Sequence, residues 1–278
     1  MTYTETGWER DRRTHFDEIV VNYDRIRPDY PVELYEDIVK YTGRKSSAKA
    51  IEIGAGTGKA TAPFLNAGYE VTAVEIGAKM AEFLLDKYKG YKGLNVIIDS
   101  FENISFDENS FDLIYAASAF HWVDAKIGCP KAFRLLKNSG VIALFRYNEM
   151  SAHENELSKE IKKLYDKYYF THYTSKHWQP QRKTKAELEK PSRILVDFGF
   201  ESLQQYGFID VSMKFYDFTR SYSADDYITW LDTMADHRGL PESNKTALYA
   251  SVKEAILRNG GRYTLDYVFQ LYMGRKMI

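Results

Sequence analysis

The stretch Ala50-Ile-Glu-Ile-Gly-Ala-Gly-Thr-Gly58 decides the fold of this 278-residue chain. A short apolar run that stops at closely spaced glycines is typical of a buried strand that turns directly into a helix. Glycines at such a turn permit positive φ angles and let the backbone approach a ligand without a Cβ atom in the way. The free N–H groups of the following helix face the same space. We therefore place a candidate ligand site at the end of this strand.

Short apolar runs alternate with amphipathic runs on both sides of this stretch. The pattern predicts strands at Ala48–Ile53, Glu70–Glu75, Leu94–Ile98, Phe111–Ala116 and Val141–Phe145, with helices at Lys59–Asn66, Gly77–Lys89 and Ala125–Leu136. Such regular alternation favours a parallel sheet covered by helices on both faces, a doubly wound α/β fold. Ligands bind such sheets beyond the carboxyl ends of the strands.

The alternation ends near residue 146. Residues 147–190 are polar, helical in tendency and rich in tyrosine. The remaining chain predicts a helix at Ile194–Phe198, a strand at Glu201–Phe208, either a strand or a loop at Met213–Thr219, a capping box at Ser223-Ala-Asp-Asp226, a helix after Pro241 and a strand at Tyr263–Met273. We interpret 1–46 as an N-terminal helical cover, 47–146 and 191–278 as one core domain, and 147–190 and 210–260 as helical insertions that form a lid.

Bulk properties exclude several classes of protein. The formal net charge of −1 gives no field that would draw the protein to nucleic acid or to an anionic membrane. A single cysteine excludes an intramolecular disulfide and a cysteine-cluster metal site. No signal-peptide pattern opens the sequence, and no apolar run approaches the roughly 20 residues that span a bilayer. We expect a cytoplasmic monomer or homodimer without nucleic-acid or membrane partners.

Ligand-type residues follow three consecutive predicted strands. Glu75 ends the second strand, where a carboxylate can accept both hydroxyls of a ribose, and Asp99 ends the third, where it can accept from an adenine amine. The glycine spacing G-x-G-x-G differs from the dinucleotide fingerprint, and Gly58-Lys59-Ala60 lacks the P-loop hydroxyl. The acidic Glu52 before the loop suits a ligand with an ammonium and a sulfonium better than a pyrophosphate.

These motifs resemble those of class I S-adenosylmethionine-dependent methyltransferases, and most of all the small-molecule type 11 group that includes trans-aconitate methyltransferase-like proteins. The resemblance is carried by Glu52-Ile-Gly-Ala-Gly-Thr-Gly58, Glu75, Asp99, Phe111-Asp-Leu-Ile-Tyr-Ala-Ala-Ser-Ala-Phe-His-Trp122 and Asn22-Tyr-Asp-Arg-Ile-Arg-Pro-Asp-Tyr-Pro31. It covers residues 20 to 145 strongly and the rest only in general plan. It implies a seven-stranded sheet in the order 3-2-1-4-5-7-6, with strand 7 antiparallel, and S-adenosyl-L-methionine as cofactor.

The resemblance also implies how the cofactor is held. Gly54, Ala55 and Gly56 would meet its methionine part, Glu75 its ribose, and Ile76 its adenine. The adenine edge would be read by Asp99 with Ser100 or Phe101. The methionine part would be bordered by Ala117 and Ser118, and the site closed from the N-terminal side by Tyr23 and Arg27. Trp122 either stacks on the adenine, covers the sulfonium or belongs to the core.

Methyl transfer to a small-molecule acceptor requires mainly that the nucleophile and the methyl group be held in line and away from water. A general base is needed only where the acceptor keeps its proton. His121 is a candidate acid, base or substrate contact, with a packed or cofactor-bordering side chain as the alternative, and His237 is a second candidate base. No metal is expected, because His172 and His177 have no accompanying carboxylate pattern. An NAD-dependent oxidoreductase and a non-catalytic nucleoside-binding module are the alternative functions.

Overall fold

A computed structural model describes residues 16–43, 47–150, 155–173, 185–188 and 200–277. The helices are α1 (Val20–Ile26), α2 (Val32–Thr42), α3 (Thr61–Asn66), α4 (Ala78–Lys87), α5 (Ala125–Leu135), α6 (Glu156–Tyr168), α7 (Lys185–Leu188), α8 (Phe200–Gln205), α9 (Ala224–Asp232), α10 (Ala235–Arg238) and α11 (Glu242–Arg258). The strands are β1 (Lys49–Ile53), β2 (Glu70–Glu75), β3 (Leu94–Ile98), β4 (Phe111–Ala117), β5 (Leu136–Glu149), β6 (Phe208–Ser223) and β7 (Arg262–Lys276). Among the described helices, none is long and apolar enough to cross a membrane.

The seven strands form one sheet in the order β3-β2-β1-β4-β5-β7-β6. β1 pairs in parallel with both β2 and β4, β2 pairs in parallel with β3, and β4 pairs in parallel with β5. Strand β7 runs antiparallel. The predicted doubly wound α/β fold, its strand order and its antiparallel seventh strand are therefore confirmed. The carboxyl ends of β1 to β5 meet at one edge of the sheet, because parallel strands point the same way.

The strand predicted at Glu201–Phe208 is wrong. Residues Phe200–Gln205 form helix α8, and the strand β6 begins only at Phe208. Glutamate and glutamine favour a helix over a strand, and the described side chains of this segment contain no β-branched residue. Leu203 anchors the helix, since its side chain is fully buried in the core. Gly207 then takes a φ of 89°, which lets the chain turn into β6. The helix predicted at Ile194–Phe198 lies outside the described residues.

The residues Asn138-Ser-Gly140, predicted to separate a helix from a strand, lie within β5. The register of β4 on β5 shifts here, from Phe111 opposite Leu136 to Leu113 opposite Val141. Ser139 has a φ of 63°. The extra residues therefore form an irregularity in the strand, after which β5 pairs regularly up to Phe145.

Two compact units make up the chain. The core unit comprises Asp29–Asn148, Lys185–Asp217 and Val268–Ile278, and the second unit comprises Met1–Pro28, Glu149–Thr184 and Phe218–Tyr267. Most of the predicted cover and lid segments fall in the second unit. Their roles as cover and lid stay predictions, and residues 151–154, 174–184 and 189–190 of the first lid segment lie outside the described residues.

The core unit is held together by apolar side chains on both sides of its sheet. Ile51 on β1, Ile114 on β4 and Ile142 on β5 are fully buried and belong to one cluster with Cys129 and Ala132 of α5. Burial of adjacent strands on this scale fixes the position of their carboxyl ends, since a shift by one residue would turn every apolar side chain to the opposite face. The loops that follow β1, β2 and β4 therefore start from rigid positions.

Helices dominate the second unit. Helix α11 packs against α6 and α9, and the largest buried side chains are aromatic, among them Trp230, Tyr169 and Tyr222. The predicted capping box is present, because the Ser223 hydroxyl accepts a hydrogen bond from the Asp226 backbone N–H at the start of α9. This unit is thus stabilised by ring packing and by local helix caps.

Candidate functional site

The glycine loop after β1 has the geometry that its sequence predicts. Gly54 and Ala55 donate backbone hydrogen bonds of 2.8 and 3.2 Å to the Val74 carbonyl of β2. Gly54 has a φ of 63°, and a Cβ atom there would lie 2.6 Å from the Cβ of Ala119. Gly56 also has a positive φ, of 55°, but no atom lies within 4 Å of the position its Cβ would take. The loop therefore packs tightly at Gly54 and borders open space at Gly56, where a ligand can approach the backbone.

Glu75 at the end of β2 fastens this loop. Its side chain is nearly buried, and its two carboxylate oxygens accept hydrogen bonds from Gly56 N–H at 2.7 Å and Gly77 N–H at 2.8 Å. Gly77 is the N-cap of α4, so the carboxylate joins the glycine loop to a helix N-terminus, where a negative charge is favoured. Ile76 between them is half-buried.

Glu52 lies beneath the loop. Its carboxyl group accepts hydrogen bonds from the hydroxyls of Thr61, at 2.5 Å, and Tyr115, at 3.0 Å. Burial raises the pKa of Glu52 to about 8, the two hydroxyls counteract that rise, and the negative charge of Glu75 adds to it. At neutral pH the folded protein therefore holds this carboxyl group mostly protonated. Its predicted contact with the cofactor stays a prediction.

The end of β3 presents the three residues predicted to read the adenine. The Asp99 carboxylate accepts from the backbone N–H of Ser100 at 2.7 Å and from the Asn103 side chain at 3.0 Å. Ser100 and Phe101 are buried, and the ammonium of Lys131 lies 5.3 Å from the Phe101 ring centre. Asp99 N–H donates to the Glu75 carbonyl at 3.1 Å, so the ends of β2 and β3 are adjacent.

The end of β4 is a strained turn. Ser118 has a φ of 52°, a conformation unusual for a residue other than glycine, and its N–H donates to the Phe145 carbonyl of β5 at 2.7 Å. Its hydroxyl accepts a hydrogen bond of 2.7 Å from the hydroxyl of Tyr30. Ala117, which precedes it, is half-buried and pairs with Phe145. The turn therefore holds Ser118 between β5 and Tyr30.

His121 and Trp122 belong to a short 3₁₀ turn, Phe120–Trp122, that follows this strained residue. Both side chains are half-buried, with their ring centres 5.0 Å apart. Four polar side chains line a recess at the end of β4 and beside the adjacent parts of β5 and β7: Ser118, His121, Arg146 and Tyr272. Apolar side chains, including Phe120, Leu144 and Phe145, complete its wall. Small-molecule sites commonly combine an apolar wall with a few polar groups in this way.

Sequence analysis missed two residues that line this recess, Arg146 and Tyr272, and also Tyr30, which hydrogen-bonds to Ser118 in its wall. Tyr30 stands in the quoted N-terminal motif, but the resemblance pointed to Tyr23 and Arg27 instead. Arg146 directly follows the fifth predicted strand, so the same strand-end argument that selected Glu75 could have found it. For Tyr272 the sequence offers no signal, since it lies inside an apolar strand.

Tyr23 and Arg27 lie in the second unit. The Arg27 guanidinium is buried, donates to the Thr233 carbonyl at 2.5 Å and lies 5.1 Å from the Tyr23 ring centre. These contacts join α1 to the end of α9. The predicted role of both residues in closing the cofactor site stays a prediction.

His237 also lies in the second unit, in a buried polar cluster. Its Nε2 is 2.8 Å from the Tyr165 hydroxyl, and its Nδ1 is 3.1 Å from a carboxylate oxygen of Asp236. The hydroxyls of Tyr169 and Tyr173 donate to Asp236, at its carboxylate and its carbonyl. Burial acts to raise the pKa of Asp236, but His237 and the Tyr169 hydroxyl outweigh it and hold that pKa below its usual range. The cluster therefore contains an ionised carboxylate, and the catalytic role of His237 stays a prediction.

Within the described residues, no group of three His, Cys, Asp or Glu side chains is arranged to hold a metal ion. This search included His172, whereas His177 lies outside the described part of the chain.

Comparison with known proteins identifies the part of the chain that carries this site. Residues 51–144 match the family model described as a methyltransferase domain. A Dictyostelium discoideum protein named "Putative methyltransferase" is 23% identical over 263 residues, which are 93% of this chain and 92% of that protein. An uncharacterized methyltransferase of Mycobacterium tuberculosis is 32% identical over 135 residues, 49% of this chain and 53% of that protein. The chain thus aligns with about half the length of the mycobacterial relative.

Solved structures show the same fold. A methyltransferase structure from Anaeromyxobacter dehalogenans, titled as a putative type II enzyme, has a TM-score of 0.61 at 18% identity, covering 90% of this chain and 97% of that chain. Phosphoethanolamine N-methyltransferase 2 of Haemonchus contortus, solved with S-adenosyl-L-methionine, has a TM-score of 0.53 at 15% identity, covering 96% and 59%. Residues 51–144 of this chain therefore match a methyltransferase domain, and the chain shares its fold with solved methyltransferase structures.

Proposed function

We propose that the protein is an S-adenosylmethionine-dependent methyltransferase that transfers the methyl group to a small-molecule acceptor by in-line displacement. The observation that carries this proposal is the geometry of the loop at Gly54–Gly58. The Glu75 carboxylate holds this loop by accepting a hydrogen bond from Gly56 N–H, and the Cα of Gly56 faces open space. A cofactor that lies along this loop meets the open backbone at Gly56 and the carboxylate of Glu75. It also reaches the end of β4, where the acceptor recess begins.

The chain's own residues supply the binding half of this reaction. Glu75 would accept the ribose hydroxyls, and Asp99 with Ser100 or Phe101 would hold the adenine. Gly54, Ala55 and Gly56 would pass the methionine part toward Ala117 and Ser118, with Glu52 beneath it. S-adenosylmethionine brings an already activated methyl group, so positioning and exclusion of water are the main tasks left to the protein.

His121 is the candidate base of the core unit, because it lines the recess beside Ser118. An acceptor that is already an anion at working pH needs no such base. The role of His121 as a base remains a prediction, as do the roles of Trp122 and His237. The cytoplasmic location is a prediction as well.

Calorimetry tests the proposal directly. S-adenosylhomocysteine and S-adenosylmethionine should bind the full chain in the micromolar range, and NAD should not. Binding of NAD alone would replace the proposal by an oxidoreductase, and binding of neither would remove it. Methyl transfer from labelled S-adenosylmethionine to a metabolite mixture then separates an enzyme from a nucleoside-binding module, since a module would bind without turnover.

A further inference from the structure

A fixed cation lies in the acceptor recess. Arg146 directly follows Phe145, the last residue of β5 to pair with β4, and Ser118 N–H donates to the carbonyl of Phe145. Adjacent strands are about 4.8 Å apart, so Arg146 within β5 lies beside Ser118, which directly follows β4. Arg146 lines the same recess as His121 and Tyr272. The recess is thus on the far side of β4 from β1 and its glycine loop.

The guanidinium is held in place by a buried amide. The carbonyl oxygen of the Gln270 side chain accepts from Arg146 Nε at 3.3 Å and from the Asn148 side chain at 3.4 Å. The amide nitrogen of Gln270 donates to the Leu188 carbonyl at 3.0 Å and to the Tyr272 hydroxyl. These four contacts define which end of the amide faces Arg146, and the guanidinium is oriented through its Nε.

Gln270 is a polar residue in an otherwise apolar, buried part of β7. It is fully buried, and its neighbours Phe269 and Leu271 are buried and apolar. A buried amide costs free energy unless it is hydrogen-bonded, and an apolar residue would fill the same space at no such cost. Of the hydrogen bonds that Gln270 makes, the one to Arg146 Nε fixes the orientation of a side chain that lines the recess. We read Gln270 as a positioning residue for the arginine.

The recess is positively charged. Arginine keeps its charge at every relevant pH and carries five N–H donors, of which Gln270 engages the one on Nε. Among the residues that the structure describes, no carboxylate lies within ion-pair distance of Arg146. The other polar lining groups are the hydroxyls of Ser118 and Tyr272 and the imidazole of His121. The planar guanidinium of Arg146 can donate two parallel hydrogen bonds, and hydroxyl groups lie beside it. This arrangement suits a ligand with an oxyanion, such as a carboxylate or a phosphate.

We propose that the methyl acceptor carries a carboxylate or phosphate group and that Arg146 binds this oxyanion in the recess. This inference rests on the proposed function, because it names the substrate class of the same site. An acceptor held by its oxyanion at Arg146 would lie beside Ser118 and His121, at the end of β4 where the cofactor's methionine part is proposed to lie. Arg146 would then decide which molecules are accepted, while the residues of β1 to β3 hold the cofactor.

Binding of model anions to the protein saturated with S-adenosylhomocysteine tests this inference. Benzoate and phenyl phosphate represent the two oxyanions, and benzamide is the neutral counterpart of benzoate. At least one anion should bind, benzamide should not, and the better anion identifies the group. Arg146→Gln should weaken that anion about 10- to 100-fold. Arg146→Lys should recover part of the loss, because the charge returns without the fork.

Arg134→Gln is the matched control, since it removes one positive charge from an exposed position on α5, 3.9 Å from Glu108. It should leave anion binding unchanged. Equal binding of benzamide, an unchanged affinity in Arg146→Gln, or no binding of either anion would overturn the inference. If Arg146→Gln does not fold, the anion affinities of Arg146→Lys and Arg134→Gln are compared instead. Weaker binding in Arg146→Lys alone supports the inference, and equal binding overturns it.

The cofactor's own carboxylate is the alternative source of the anion. 5′-Methylthioadenosine lacks that carboxylate, so it separates the two. If Arg146→Gln weakens S-adenosylhomocysteine but not 5′-methylthioadenosine, the arginine holds the cofactor and the acceptor assignment is wrong. If wild-type protein binds no S-adenosylhomocysteine, the proposed function fails by itself, and the same anion titrations on the free protein still test Arg146.

Discussion

The two halves of the candidate site are built in different ways. The half at the ends of β1, β2 and β3 consists of one contiguous loop and the residues that end the next two strands, held by backbone N–H groups and the carboxylate of Glu75. The half at the end of β4 and beside the adjacent parts of β5 and β7 consists of side chains from distant parts of the chain, such as Tyr30, Ser118, Arg146 and Tyr272. A backbone-built half suits a ligand common to many proteins, and a half built of side chains can change its ligand by substitution.

The largest expected effect is on the stability of the backbone-built half. Gly54→Ala forces a side chain into a positive φ and within 2.6 Å of Ala119, which should lower the free energy of unfolding by about 2–5 kcal/mol. Gly56→Ala meets no atom within 4 Å and should cost only the backbone strain of about 1–2 kcal/mol. Urea unfolding of both variants measures the difference. Equal losses would mean that the approach of the loop to Ala119 contributes nothing.

Glu75→Ala removes the carboxylate that fastens the loop and is proposed to bind the ribose. Cofactor binding should weaken by about 1–3 kcal/mol, measured by calorimetry with S-adenosylhomocysteine. Glu70→Ala, at the exposed opposite end of the same strand, is the control and should bind normally. An unchanged affinity in Glu75→Ala would remove the residue from the proposed site, while binding of the model anions should be equal in the two variants.

Glu52 gives the backbone-built half a pH dependence. Its pKa is about 8 in the folded protein and 4.5 as an ordinary carboxyl group, so between these values the folded state holds a proton that the unfolded chain has released. The free energy of unfolding should therefore fall as pH rises from about 4.5 to about 8, by up to about 1.4 kcal/mol per pH unit from this group.

Glu52→Gln cannot ionise, so its free energy of unfolding should not fall with pH through this group. Its stability in urea relative to the wild type should therefore be greater at pH 8 than at pH 5. Unfolding of both proteins across this range measures the difference between the two slopes. Parallel pH profiles would show that the carboxyl group is ionised in the folded state.

The smallest expected effect belongs to the half built of side chains. Tyr30→Phe removes the hydrogen bond to Ser118 but keeps the ring packed against Phe145, 4.9 Å away, and should cost about 0.5–1.5 kcal/mol of stability. Cofactor affinity should not change. Tyr91→Phe, which loses a hydroxyl contact to Asn66 on the surface, is the control for removal of a phenol oxygen. A loss in Tyr91→Phe as large as that in Tyr30→Phe would contradict a specific role for Tyr30.

Strands β1 to β4 could be predicted from local pattern, because each is a short apolar run that stops at a glycine or a polar turn. The order of the strands in the sheet and the direction of β7 were expected only from the resemblance to a known family. The prediction at Glu201–Phe208 failed because it gave no weight to the helix preference of the glutamate and glutamines around one buried leucine. In the site, Glu75 and Asp99 could be found because they end predicted strands. Tyr30 and Tyr272 could not, because nothing local marks a tyrosine that meets a serine or an amide far away in the chain.

The sequence by itself determined the order of strands and helices in the core, the glycine loop and the acids that follow it, since these depend on neighbours along the chain and on periodicity. Only the tertiary structure decided which oxygen of Glu75 meets which backbone N–H, that Glu52 is buried against two hydroxyls, and that Gln270 holds Arg146 beside Ser118. These contacts join residues 19, 9 and 124 positions apart. Such contacts depend on how the strands pack side by side, and no short window of sequence contains that information.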